Sequence, residues 1–181
     1  MSAWADFHHV SAWQKRGVLN LERLRGRGRP RFRQESGSRP ADILTTTMAT
    51  PTVVSERFRA ALDGFSGWSR RPIEIELRDG SALDGYALLR VEGRAGPIDH
   101  ALSERVMLPP MAPGGVATPG LRGLRFDPAS WDGSDVFKPA ETALVFVTGA
   151  VAEALRGAKL TNVLVEPIDA IEFADLRSEE D

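Results

Sequence analysis

Three sets of side chains in this sequence are of types that could do chemistry. In PIDHALSER, His100 follows Asp99 and precedes Ser103 by three residues. Serine, imidazole and carboxylate are the parts of a hydrolytic triad, but a triad works by convergence in space, and sequence neighbours rarely aim at one atom. The same residues read more simply as a loop in which Asp99 caps a helix start. In IEIEL, Glu74 and Glu76 lie two apart and share one face of a strand, with Asp79 and Asp84 across the following turn. A glycosidase needs two carboxylates flanking a bond, yet alternation of Glu with Ile is what any half-buried strand shows. The plain reading is a solvated acidic face, and such a face would serve as a dock for a basic protein. His8 and His9 are adjacent, without the HExxH spacing of a metal helix. RGRGRP contains a GxG but lacks the strand before, the helix after and the third glycine of a phosphate cradle. No catalytic, cofactor or metal residue is therefore expected.

The composition narrows the setting. With 181 residues, 42% hydrophobic and 27% charged, the chain has the usage of an ordinary globular protein and the length of one domain. Absence of cysteine excludes disulfides and thiolate metal sites and fits a reducing compartment. No apolar run reaches the roughly 18 residues of a membrane span, and Asp6, His8 and His9 interrupt what would be the apolar part of a secretory signal. A cytoplasmic location is the expectation.

The net charge of -2 is unevenly placed. Residues 1–40 hold nine Lys or Arg against three Asp or Glu, a net of +6, so the remainder holds 14 against 22, a net of -8. An acidic body favours a basic partner and opposes nucleic acid. Arg23 to Pro40 reads RLRGRGRPRFRQESGSRP, which supports neither a helix nor a packed strand and is expected to be a flexible basic arm. Arginines interleaved with glycine and Phe32 could follow a nucleic-acid backbone by charge and stacking. Met48, just before ATPTVVSERF, is an alternative start. The organisation expected is an arm over 1–40, an α+β domain over 41–175 and an acidic tail over 176–181.

Within that domain two units share one grammar. Val54, Phe58, Ala61, Leu62 and Phe65 form the stripe of an amphipathic helix, with Ser55 as N-cap and Gly64 at the exit, followed by the IEIEL strand. Ninety-three positions on, Val147, Val151, Ala154, Leu155 and Ala158 repeat the spacing, Thr148 and Gly157 repeat the cap and exit, and a strand follows over Asn162 to Val165. Two short capped helices, each followed by a strand, in one mixed or antiparallel sheet are expected; the two units are either pseudo-repeats or alike only as capped helices commonly are. Further strands are expected at Tyr86–Val91, Gly123–Asp127 and Thr142–Val147, and a loop at Pro109–Gly120 with four prolines and three glycines.

TPTVVSERF (50–58), the Tyr86 strand followed by IDHALSE (98–104), GLRFDPA (123–129), DVFKP (135–139) and VFVTGAVAEALRGAKLTNVLVEPI (145–168), in this order and spacing, resemble the polymorphic-toxin immunity protein family eleven, a family of myxobacterial type. The similarity spans 39–168. It departs at Leu89–Arg90, where the family carries an asparagine, and in its arginine-rich opening. The resemblance implies a protein made beside a toxin that it binds and blocks in the producing cell, with no catalytic residue. The partner implied is a cognate toxin domain, and the acidic face of Glu74, Glu76, Asp79 and Asp84 suits a basic one. The alternatives are a nucleic-acid-associated protein using the arm, and a hydrolase with its carboxylate centre at Glu74 and Glu76.

Overall fold

The computed structural model describes residues 4–8, 18–23, 29–37, 39–46, 52–110 and 112–174. The protein is α+β. The strands are β1 (Trp4–His8), β2 (Val18–Arg23), β3 (Arg31–Ser36), β4 (Ile43–Thr46), β5 (Val53–Ser55), β6 (Trp68–Pro72), β7 (Glu74–Glu76), β8 (Tyr86–Val91), β9 (Gly93–Pro97), β10 (Glu104–Leu108), β11 (Thr118–Arg122), β12 (Val136–Ala140), β13 (Phe146–Thr148), β14 (Leu164–Pro167) and β15 (Glu172–Ala174). Helix α1 covers Glu56–Ala61 and α2 covers Gly149–Gly157. They form three sheets, in the orders β6-β8-β5-β4-β2-β3-β7, β14-β1-β13-β12-β9 and β10-β11-β15. No helix among the described residues is long and apolar enough to cross a membrane.

The two pseudo-repeats exist, but each lies in its own sheet rather than sharing one. Ile43 pairs with Val54 in β4–β5, and Val136 with Val147 in β12–β13, both shifted by the same 93 positions. Each short strand runs straight into a helix. Val54, Phe58 and Leu62 meet Val147, Val151 and Leu155, again 93 apart, in one buried cluster where α1 and α2 pack together. The equivalence extends to the neighbouring strands, with a crossing of the chain. β8 lies between β5 and β6, and β1 takes the matching slot between β13 and β14. Ser55 faces Tyr86 and Pro72 faces Ala87, while Thr148 faces Trp4 and Pro167 faces Ala5.

Several expectations are corrected by this arrangement. Val54 belongs to β5, because the chain enters α1 only after the extended Ser55, whose hydroxyl accepts from the Phe58 N–H at 3.1 Å. Gly64 does take the left-handed conformation, at φ 84°, but Gly157 stays helical, and the left-handed residues after α2 are Lys159 and Asn162. Thr148 makes no side-chain cap. The Thr142–Val147 strand is shortened to Phe146–Thr148, and Gly123–Asp127 carries only a bridge between Ile98 and Phe126. The Pro- and Gly-rich loop ends earlier than expected, since Thr118–Gly120 already belongs to β11.

The arm needs the largest correction. Arg31–Ser36 is a strand, paired antiparallel to β2 and parallel to β7. Its alternation of exposed arginine with Phe32, wholly buried against Leu44, Val53, Ile75 and Leu88, is the period of two of a half-buried strand. Arg25 and Arg27, and the tail 176–181, lie outside the described residues.

Truncating a fully buried Phe removes its transfer energy and leaves a cavity, a loss of about 3–5 kcal/mol. Phe32→Ala should therefore lower the melting temperature by roughly 10 °C. A melt unchanged by this substitution, read by circular dichroism, would show that residues 31–36 are not part of the core.

Candidate functional site

Two carboxylates hold the halves together by the same set of bonds. Asp42, just before β4, accepts from the Thr161 N–H at 2.7 Å and its hydroxyl at 2.9 Å, and from the Ser55 hydroxyl at 2.6 Å. Asp135, just before β12, accepts from the Ser66 N–H at 2.9 Å and its hydroxyl at 2.8 Å, and from the Thr148 hydroxyl at 3.3 Å. Their backbone N–H groups complete the match: that of Asp42 donates to the Thr161 hydroxyl at 3.0 Å and that of Asp135 to the Ser66 hydroxyl at 3.1 Å. Each half thus reaches into the loop after the other half's helix. Gly67 sits in this seam at φ 84°, and a Cβ there would meet the Val136 carbonyl at 2.2 Å, so no side chain fits. Arg57 adds an ion pair to Asp42 at 3.4 Å and donates to the Ala158 carbonyl at the end of α2.

The acids singled out in the sequence do not form one group. Glu74 is exposed on β7, and its N–H donates to the Pro30 carbonyl at 2.9 Å. Glu76 is bound by Arg31 and, at 3.1 Å, by Arg33, both from the neighbouring β3. Asp79 accepts from the Ser81 N–H at 2.9 Å and hydroxyl at 2.6 Å and so shapes the turn after β7. Asp84 is exposed beside Gly85. Glu76 is therefore neutralised from within by Arg31 and Arg33 of the segment expected to be an arm.

The residues of PIDHALSER are also committed separately. Asp99 accepts from the Ala101 N–H at 3.0 Å and caps a single 3-10 turn, His100–Leu102, rather than a longer helix. The Ser103 hydroxyl donates to the Gly123 carbonyl at 2.6 Å. The His100 ring lies against Phe173 with centroids 5.4 Å apart, and its buried Nδ1 has no hydrogen-bond partner among the described residues. A triad base needs its acid on one nitrogen and its nucleophile on the other. His8 stands opposite Leu164 in β1–β14; His9 lies outside the described residues. Among the described residues no three His, Asp or Glu side chains come together as a metal would require.

What the sequence did not single out is a groove of about 650 Å³ at one edge of the five-stranded sheet. It runs between the 3-10 turn at His100–Leu102 and a second at Pro128–Ser130, the latter capped by Asp127, which accepts from the Ala129 N–H at 2.9 Å. Ile98, Leu102, Phe126 and Pro128 give it apolar walls, and Asp99 and Asp127 are its charged lining residues. The signal was present in Asp127–Pro128, a capping residue followed by proline at the first helical position. Beyond the groove, the chain from 102 to 116 leaves Leu102, Met107 and Val116 exposed by 63, 64 and 83%. Such groups raise the question of what covers them.

No family model matches the chain, and no curated protein matches it. The resemblance to the immunity family therefore rests on its five sequence stretches alone.

Burial pushes the Asp42 carboxyl up, but the bonds from Ser55 and Thr161 and the charge of Arg57 outweigh it, so its pKa lies below the ordinary value. The Ser66 N–H holds Asp135 down likewise, against its burial. Groups depressed on folding contribute stability that is complete above the unfolded pKa of about 3.9 and is lost as pH falls through the folded value. Thermal melts should be flat from pH 7 to about 5 and fall below about 4. Asp42→Asn with Asp135→Asn should flatten that acid limb, leaving a smaller drop from Glu76, Asp79 and Asp132, which are depressed too. An acid limb as steep as that of the unsubstituted protein would show that the seam does not depend on these charges.

Proposed function

We propose that this protein works by binding rather than by catalysis, as an immunity protein that neutralises a bacterial toxin by direct contact inside the producing cell. The observation that carries the reading is the contrast between its polar and apolar groups. The side chains with reactive potential are spent on structure: Ser103 on a carbonyl, Asp99 on a cap, Glu76 on two arginines. Large apolar side chains at 102, 107 and 116 are meanwhile left in solvent. Exposed apolar groups with a polar surround are the ordinary composition of a protein-binding surface. The toxin as partner follows from the sequence resemblance, and a cytoplasmic location fits the lack of cysteine.

Arg31 and Arg33, offered in the sequence as nucleic-acid contacts, are held against Glu76. That pairing weighs against both the nucleic-acid reading and the hydrolase reading, since the same bond occupies the arginines of one and the carboxylate of the other.

The test is co-expression with the toxin domain encoded by an adjacent reading frame. Growth arrest by the toxin should be relieved and the two chains should co-purify. Met107→Asp should weaken the complex by about tenfold or more, as for a buried interface residue, while leaving the melting temperature within a few degrees, as for a surface change. Arrest that persists, or relief without a complex, would overturn the proposal.

A further inference from the structure

The two halves share a framework, so their differences show what the framework does not need. In the first half, β2 is one strand that pairs with β4 on one side and β3 on the other. In the second half this work is divided: β9 pairs parallel with β12, β10 pairs antiparallel with β11, and 98–103 stand between them. The connection from β3 to β4 spans 37–42, whereas that from β11 to β12 spans 123–135. The residues added in the second half hold the two 3-10 turns, and these turns make the groove. The first half has no counterpart of these turns; Leu124 and Phe126 of the added residues belong to a buried cluster with Phe137 and Phe146, but Asp99, Leu102, Asp127 and Pro128 are exposed and are not accounted for by core packing.

The chemistry of the groove is specific. Asp99 and Asp127 each use Oδ1 on a backbone cap, and the second oxygen of each has no partner among the described residues. No cation among the described residues lines the groove, and Arg125, whose carbonyl accepts from the Asp99 N–H at 2.7 Å, has its guanidinium engaged by Asp169. Two carboxylates beside the apolar surfaces of Ile98, Leu102 and Phe126 complement a side chain with an apolar stem and a cationic head. Arginine and lysine have that form.

We infer that this groove is the docking site for a basic segment of a partner protein, in which an Arg or Lys stem lies on Ile98, Leu102 and Phe126 and its cation meets Asp99 and Asp127. The inference rests on the reading of the protein as a binder and names the site and charge of what it binds. Leu102, which lines the groove, is 63% exposed and available to that segment.

The groove can be tested on the full chain without the toxin. Asp99→Asn with Asp127→Asn removes both charges and keeps both caps, since asparagine caps as well as aspartate. Isotope-labelled protein is titrated with N-acetyl-Leu-Arg-amide and, as control, N-acetyl-Leu-Glu-amide. The arginine peptide should shift the resonances of Asp99, Leu102, Phe126 and Asp127 in a saturable way, the glutamate peptide should not, and the double variant should bind the arginine peptide about tenfold more weakly. No shift at these residues, equal response to both peptides, or unchanged affinity in the double variant overturns the groove. In the co-expression experiment, a double variant that holds the toxin as tightly as the unsubstituted protein also overturns the groove while the binding function stands. Failure of the unsubstituted protein to hold the toxin overturns the toxin reading instead, and the peptide result still decides the groove.

Discussion

Two carboxylates set the geometry from which the rest of the fold follows. Asp42 is 4% exposed and could not remain charged there unless its oxygens were bonded. Besides Ser55 and Arg57, the donors that satisfy it come from the loop after α2, and besides Thr148 those that satisfy Asp135 come from the loop after α1. Each half is consequently completed by the other. The requirement fixes the helices side by side, brings Arg57 to the end of α2, and leaves room for only a glycine at 67. Asn162, in the left-handed conformation at φ 64°, donates its side-chain N–H to the Ile43 carbonyl at 2.9 Å and closes the same seam. A polar network of this kind is stabilising when complete and costly when one member is lost.

Local patterns in the sequence showed part of this arrangement. The Ser55 cap, the Gly64 exit, the Tyr86–Val91 strand and the middle of each helical stripe are properties of neighbouring residues and are present in the fold, although Val54 and Val147 at the start of the stripes lie in strands. The errors arise where a distant partner decides. Phe32 between arginines has the alternation of a strand, but the surface that buries it comes from 44, 53, 75 and 88, and without that surface the composition resembles a flexible arm. Glu74 and Glu76 flank the buried Ile75 on β7 as the alternation implies, while the pairing of Glu76 with Arg31 and Arg33 depends on contacts across more than forty residues. Asp42 and Asp135 are themselves 93 apart, so extending the repeat by a dozen residues toward the N-terminus would have marked both.

The repeat also hid something. Helical spacing in both halves implied two units in one sheet, because sequence comparison cannot show that the chain crosses over. β1 occupies in the second half the slot that β8 occupies in the first. WADFH at 4–8 and YALLR at 86–90 place an aromatic residue opposite the N-cap and alanine opposite the residue before it. Their separation is 82 rather than 93, so a search at a single offset aligns the helices and misses these strands.

Symmetry within one chain bears on how such a protein acquires a specific surface. The seam is built twice, by Asp42 with Thr161 and by Asp135 with Ser66. The exposed turns at 99–102 and 127–130 have no counterpart in the first half, where the equivalents are a continuous strand and a six-residue connection, although Leu124, Phe126 and Asp135 of the same connection are held by core and seam. Exposed side chains of these turns, such as Leu102, can vary in charge and size at little cost to the core, provided that Asp99 and Asp127 or other capping residues keep the turns. A rigid duplicated frame with one unconstrained edge separates the demands of folding from those of recognition. In this molecule that edge is also where Leu102 remains in solvent and where one oxygen each of Asp99 and Asp127 has no partner among the described residues.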